Sequence, residues 1–138
     1  MKKEYKLELH QLKRLTQDLL DRFSNGVVVL RGDLAAGKTT LVKAFVKKLG
    51  CDEEVTSPTF SLQQCYGEKI FHYDIYNHGL EHFISLGMLE ELDKEGLHFI
   101  EWGNDALIEL LESAGIDVVT IDIKKISDRA REYNICIH

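Results

Sequence analysis

The run Gly37-Lys38-Thr39-Thr40, with a further glycine at Gly32, is the part of this sequence best suited to chemistry. Together the residues GDLAAGKTT, Gly32 to Thr40, meet the spacing G-x-x-x-x-G-K-[ST] in full. In that pattern the backbone N–H groups of Gly32, Asp33, Leu34, Ala35, Ala36 and Gly37 can turn inward around an anion, and the positive end of the following helix adds its dipole. Lys38 then meets the β and γ phosphates of a nucleoside triphosphate as a point charge, while the Thr39 hydroxyl helps to hold Mg²⁺. A plain strand-to-helix turn needs none of these side chains.

Chemistry at the γ-phosphate needs a second carboxylate for the metal, a group that orients the attacking atom, and positive charge for the transition state. Glu101 closes the apolar run Leu97 to Ile100, where an acidic residue would face the phosphate loop across a parallel sheet. An exposed strand-end carboxylate is the lesser alternative at that position. Asp74 stands in FHYDIYN between apolar and aromatic neighbours, so alternation projects it from the opposite face. A solvated hairpin aspartate and a catalytic one both remain open for it. Trp102, the single tryptophan, reads as core or rim packing before it reads as a ligand platform, and His72 as a satisfied strand histidine before an acid or base. The arginines are Arg14, Arg22, Arg31, Arg129 and Arg131, with none between the glycine loop and the last hairpin. The lid arginines of a small-molecule kinase are therefore missing. Either Arg129 or Arg131 folds back to the site, or a second protein supplies the charge, or turnover is slow in isolation.

The elements that must position these residues are legible from periodicity. Leu7 and Leu9 alternate with charged residues in a first strand, and Leu12, Leu15, Leu19, Leu20 and Phe23 follow one helical face that Asn25-Gly26 stops. Val27 to Leu30 is a β-branched run expected in a central parallel strand buried on both faces. After the loop, Leu41, Val42, Phe45, Val46 and Leu49 line a helix closed by Gly50. Thr59 to Tyr66 and Ile70 to Tyr76 predict a hairpin around Gly67-Glu68, and Glu81 to Glu95 is helical with a break at Gly87. Leu97 to Ile100 is a second buried strand, Asp105 to Ser113 a helix, and Val118 to Ile126 with Glu132 to Ile137 a closing antiparallel pair. These elements predict one α/β domain over residues 1–138, a P-loop NTPase fold with a mixed, mostly parallel sheet flanked by helices and antiparallel hairpins.

The chain's 138 residues, 44% hydrophobic and 29% charged, suit a single globular domain. Its formal charge of -6 repels nucleic-acid phosphates, so any RNA is expected to be held mainly by a partner. No apolar run is long enough to cross a bilayer and Met1 to Tyr5 leads into no signal-like segment, so no membrane role is expected and the location expected is cytoplasmic. Cys51, Cys65 and Cys136 are odd in number and lack zinc-like spacing, which predicts reduced thiols.

Four motifs in order, GDLAAGKTT, TSPTFSL at Thr56 to Leu62, FHYDIYN at Phe71 to Asn77 and IEWG at Ile100 to Gly103, resemble the TsaE family of P-loop ATPases of bacterial tRNA threonylcarbamoyladenosine biosynthesis. The likeness covers nearly the whole chain. It implies an ATPase that binds ATP or ADP with Mg²⁺ and works with TsaB and TsaD, meeting tRNA through that assembly. By the same motifs Lys38 contacts phosphate, Thr39 and Glu101 hold Mg²⁺, Thr40 adds a contact and Asp74 is the catalytic acidic residue. Ser57, Pro58 and Thr59 form a switch-like loop, and Trp102 lies near the nucleotide or partner surface. Three residues depart from the family pattern: Ala35 for glycine, Asn77 for arginine, and Gly103 for proline, the last leaving its turn less fixed. A small-molecule kinase and a non-hydrolysing, nucleotide-dependent binding module are the rival readings.

Overall fold

Val27, Val28 and Val29 form the middle of the molecule because side chains on both faces of their strand find cover. The computed structural model describes residues 2–33, 36–51, 63–75 and 79–138. In chain order its elements are β1 (Lys2–Glu8), a single 3₁₀ turn (Leu9–Gln11), α1 (Leu12–Leu20), β2 (Gly26–Arg31), α2 (Lys38–Lys48), β3 (Gln63–Tyr66), β4 (Ile70–Asp74), α3 (Gly79–Ser85), α4 (Met88–Leu92), β5 (Leu97–Glu101), α5 (Asp105–Ser113), β6 (Val118–Lys125) and β7 (Ala130–Ile137).

The strands make one seven-stranded sheet in the order β1-β7-β6-β2-β5-β4-β3. Its centre, β6-β2-β5-β4, is parallel. Antiparallel strands extend it at both sides, β7 and β1 beyond β6 and β3 beyond β4. One face carries α1 and α2: Leu15, Leu19, Leu41, Val42 and Phe45 pack on Val28, Leu30, Phe99 and Ile121. The other carries α3, α4 and α5, whose Phe83, Leu92, Leu107 and Leu111 pack on Val27, Val29, Tyr73 and Ile100. The alternation of Val27, Val28 and Val29 between the two cores is the period of a strand buried on both faces.

The expected elements are present, with two shifts near the N-terminus. Leu9 leaves the strand for the 3₁₀ turn and is 67% exposed. Helix α1 ends at Leu20, so Phe23 is buried from the connection rather than from the helix, while Gly26 already belongs to β2. Residues Thr59 to Leu62 and Tyr76 of the expected hairpin lie outside the described residues. Among the described residues no helix is long and apolar enough to cross a membrane.

Candidate functional site

The loop between β2 and α2 is shaped by its glycines and closed by its lysine. Gly37, the residue before α2, has φ 107° and ψ 24°, a left-handed conformation that an L side chain would strain. Within the loop the Ala36 N–H donates to the Asp33 carbonyl at 3.0 Å. The Lys38 ammonium turns back over the same loop and donates to the carbonyls of Gly32 at 2.8 Å and Asp33 at 2.9 Å. On its other side it lies 3.8 Å from the centre of the Trp102 ring, a cation–π contact. Lys38 is only 5% exposed; burial lowers its pKa from the ordinary lysine value, and the negative charges of Glu101, Asp74 and Asp33 oppose that shift.

Strand register brings two carboxylates to this loop. Leu30, the penultimate residue of β2, pairs with Glu101 at the end of β5, and Glu101 pairs with Asp74 at the end of β4. The Thr39 hydroxyl, in the first turn of α2, donates to Glu101 Oε2 at 2.9 Å, with Oε1 at 3.2 Å. His72 Nε2 lies 2.5 Å from the same Oε2. A carboxylate only accepts, so Nε2 carries the proton of that bond. His72 is fully buried and its Nδ1 lies 3.3 Å from the Tyr66 hydroxyl. Asp74, two residues along β4 and hence on the same face as His72, is half-buried and acts electrostatically on Lys38.

The turn after β5 holds Trp102 in place. Trp102 has φ 70°, the one non-glycine residue with positive φ among the described residues, and its N–H donates to the Leu30 carbonyl at 3.0 Å. At Gly103 an added Cβ would stand 2.5 Å from Val29 Cγ1 and 3.1 Å from Leu107 Cδ2, so the backbone lies too close to β2 for any side chain. The turn expected to be loose without a proline is fixed instead by this close approach and by Asn104, whose side chain accepts from the Leu107 N–H at 2.9 Å and caps α5.

Of the two arginines that could fold back, Arg131 does so: its Nε donates to the Ala36 carbonyl at 3.1 Å, and its Nη1 holds the Ser127 and Ala130 carbonyls. Beside it a cleft of ≈ 350 Å³ is lined by Leu9, His10, Gly37, Thr40, Arg129 and Arg131, among others. Gly32, Asp33, Ala36, Gly37, Lys38, Thr39, Asp74, Glu101 and Trp102 thus surround one loop, with Thr40 facing the adjoining cleft. Leu34, Ala35, Ser57, Pro58, Thr59 and Asn77 lie outside the described residues.

Two contacts went unread in the sequence. His72 is satisfied as expected, but its partner is Glu101; the signal was its two-residue spacing from Asp74, which puts both on one face of β4. The stacking of Trp102 over Lys38 depends on a turn conformation that no spacing rule announces.

Thr39 and Glu101 bring a hydroxyl and a carboxylate oxygen within 2.9 Å of each other, a hard-oxygen pair of the kind Mg²⁺ takes together with phosphate oxygens and water. Among the described residues no cluster of three or more His, Cys, Asp or Glu forms a metal cage from protein alone. The donor set therefore fits a Mg²⁺ ion that completes its shell from a ligand.

Residues 7–133 match the family described as Threonylcarbamoyl adenosine biosynthesis protein TsaE. The tRNA threonylcarbamoyladenosine biosynthesis protein TsaE of Treponema pallidum (strain Nichols) is 41% identical over 112 residues, spanning 79% of this chain and 80% of that protein. The protein of the same name from Bacillus subtilis (strain 168) is 37% identical over 109 residues, 77% of this chain and 66% of the relative. Among solved structures, the crystal structure of Bacillus subtilis YdiB superposes with a TM-score of 0.73 at 26% identity, covering 98% of this chain and 84% of that one.

Proposed function

This chain belongs to the TsaE family, and from that premise we propose that it binds and hydrolyses ATP during formation of N6-threonylcarbamoyladenosine on tRNA, working with TsaB and TsaD. The observation that carries the reading is the convergence of Lys38, Thr39 and Glu101 on one loop at the ends of β2 and β5. Lys38 exchanges the carbonyls of Gly32 and Asp33 for phosphate oxygens, which accept from an ammonium more strongly. The loop N–H groups and the start of α2 hold the anion. Thr39 and Glu101 are the residues that would hold Mg²⁺. When bound, Mg²⁺ neutralises charge on the phosphate oxygens. Asp74, within electrostatic reach of Lys38, is the residue we assign to orienting the attacking water. Thr40 and Arg131 open onto the cleft where the nucleoside would lie, and the exposed Leu9 offers it an apolar wall.

Arg131 is engaged with the Ala36 carbonyl and the hairpin, so charge at the γ-phosphate is assigned to a partner and turnover alone is slow. A cytoplasmic location follows from work on tRNA. The test is phosphate release from ATP by the purified chain, alone and then with TsaB, TsaD and tRNA, with Lys38→Ala as the blank. A weak rate that rises sharply with the partners and vanishes in the blank is expected. No release in any mixture refutes hydrolysis.

A further inference from the structure

We propose that His72 is a positioning residue for the Glu101 carboxylate, fixing which of its oxygens is presented to the Thr39 side of the loop; the proposal rests on the Mg²⁺-nucleotide reading above. Glu101 is 3% exposed, and a carboxylate so buried must have donors. Two converge on Oε2, the Thr39 hydroxyl at 2.9 Å and His72 Nε2 at 2.5 Å, while Oε1 has the longer Thr39 contact at 3.2 Å. If the Thr39 oxygen turns to a cation, its proton leaves Glu101. The His72 bond does not depend on that rotation, so it keeps Oε2 occupied and leaves Oε1 as the presented atom.

The imidazole is itself held. Its Nδ1 faces the Tyr66 hydroxyl at 3.3 Å, and that hydroxyl lies 2.7 Å from Gln64 Oε1. Both residues are on β3, which pairs with β4 in the register Gln64↔His72. The ring is fully buried, so solvent offers it no alternative partner. A core-filling role is met equally well by an apolar residue, and an apolar residue would leave Oε2 without its shorter bond. Partners of this kind, one shell out from a metal, set ligand orientation and commonly change metal affinity by about 10- to 100-fold when removed.

The test contrasts two amides in the full chain. In His72→Gln the amide nitrogen reaches about as far as Nε2 and can donate to Glu101, whereas in His72→Asn it stops near the Nδ1 position. ADP binding is titrated without metal and then as a function of Mg²⁺ concentration. Metal-free ADP affinity is expected to stay within about twofold of the parent in both variants. The Mg²⁺ concentration for half-maximal effect should rise at least about tenfold in His72→Asn and stay within about threefold in His72→Gln. Equal Mg²⁺ dependence in the two variants, with the parent responding normally, overturns the positioning role and leaves the nucleotide reading standing. A parent chain whose ADP binding ignores Mg²⁺ overturns both. Should either variant fail to fold, the ¹⁵N resonance of His72 Nε2 in the unaltered protein decides: a shift when Mg²⁺ is added to the ADP complex is expected, and an unmoved resonance overturns the proposal.

Discussion

Gly103→Ala tests how the turn that carries Trp102 is held. The added Cβ would meet Val29 Cγ1 at 2.5 Å, and Val29 is fully buried in the central strand, where its branched side chain has little rotamer freedom. Leu107 Cδ2 at 3.1 Å closes the other side. The clash has to be relieved by moving the turn or the strand, an overpacking cost of about 1–3 kcal/mol. For 138 residues the unfolding entropy is roughly 0.3 kcal/mol/K, so Tm should fall by about 3–10 °C. Thermal melts followed by circular dichroism measure that directly. Because Trp102 is the single tryptophan, its emission reports separately whether the ring has left Lys38. The sharper test is Val29→Ala in the same chain, which removes the methyl groups in the way. The double variant should be more stable than the sum of the two single losses implies, by about 0.5 kcal/mol or more. Additive losses, or an alanine at 103 with an unchanged Tm, would refute the claim that close approach to β2 selects glycine there.

Two further outcomes follow from the same contacts. Arg131→Ala removes a charge-assisted bond to the Ala36 carbonyl and a cation beside the cleft; ADP should bind about tenfold more weakly, taking the lower part of the ~1.5–3 kcal/mol range for hydrogen bonds to charged groups. An unchanged Kd in an ADP titration would remove Arg131 and the cleft from the binding reading. His98 is buried, donates through Nε2 to the Lys94 carbonyl at 2.8 Å and accepts from the Tyr73 hydroxyl at 2.8 Å, and burial lowers its pKa from the ordinary 6.5. The unfolded chain then takes up the proton first, so this contribution to stability is complete above about pH 6.5 and is lost as pH falls from there through the folded value. Urea midpoints measured from pH 8 to pH 5 should show a decline that His98→Leu lessens, and parallel curves for parent and variant would refute it.

The sequence announced those parts of the site whose chemistry is written in residue type and spacing. The loop from Gly32 to Thr40, the acidic residue at the end of the Leu97 run, and the face of Asp74 follow from short-range pattern, since strand alternation and glycine placement are local properties. Leu9 and Phe23 were misplaced at element boundaries, because each keeps the apolar period of its neighbour while the backbone has already turned. His72, Trp102 and Arg131 were harder for a different reason. Each makes its decisive contact with a residue 29, 64 or 95 positions away, and such pairings are set by sheet order and turn conformation. The glycine at 103 looked like a loss of rigidity for the same reason: its constraint lies in Val29, on another strand.

That dependence on sheet order makes the fold and the candidate site one specification. Leu30, Glu101 and Asp74 lie in a single row across β2, β5 and β4, and the row is what sets Glu101 beside Thr39. Side chains alternate with a period of two, so a slip of one residue in β5 would put Glu101 into the core beneath α5 and bring Ile100 to the loop. Such a slip would also move Phe99 off Phe45 and His98 off the Tyr73 hydroxyl, contacts buried on opposite faces of the same strand. The apolar packing on either side of β5 therefore enforces the register that the carboxylate needs.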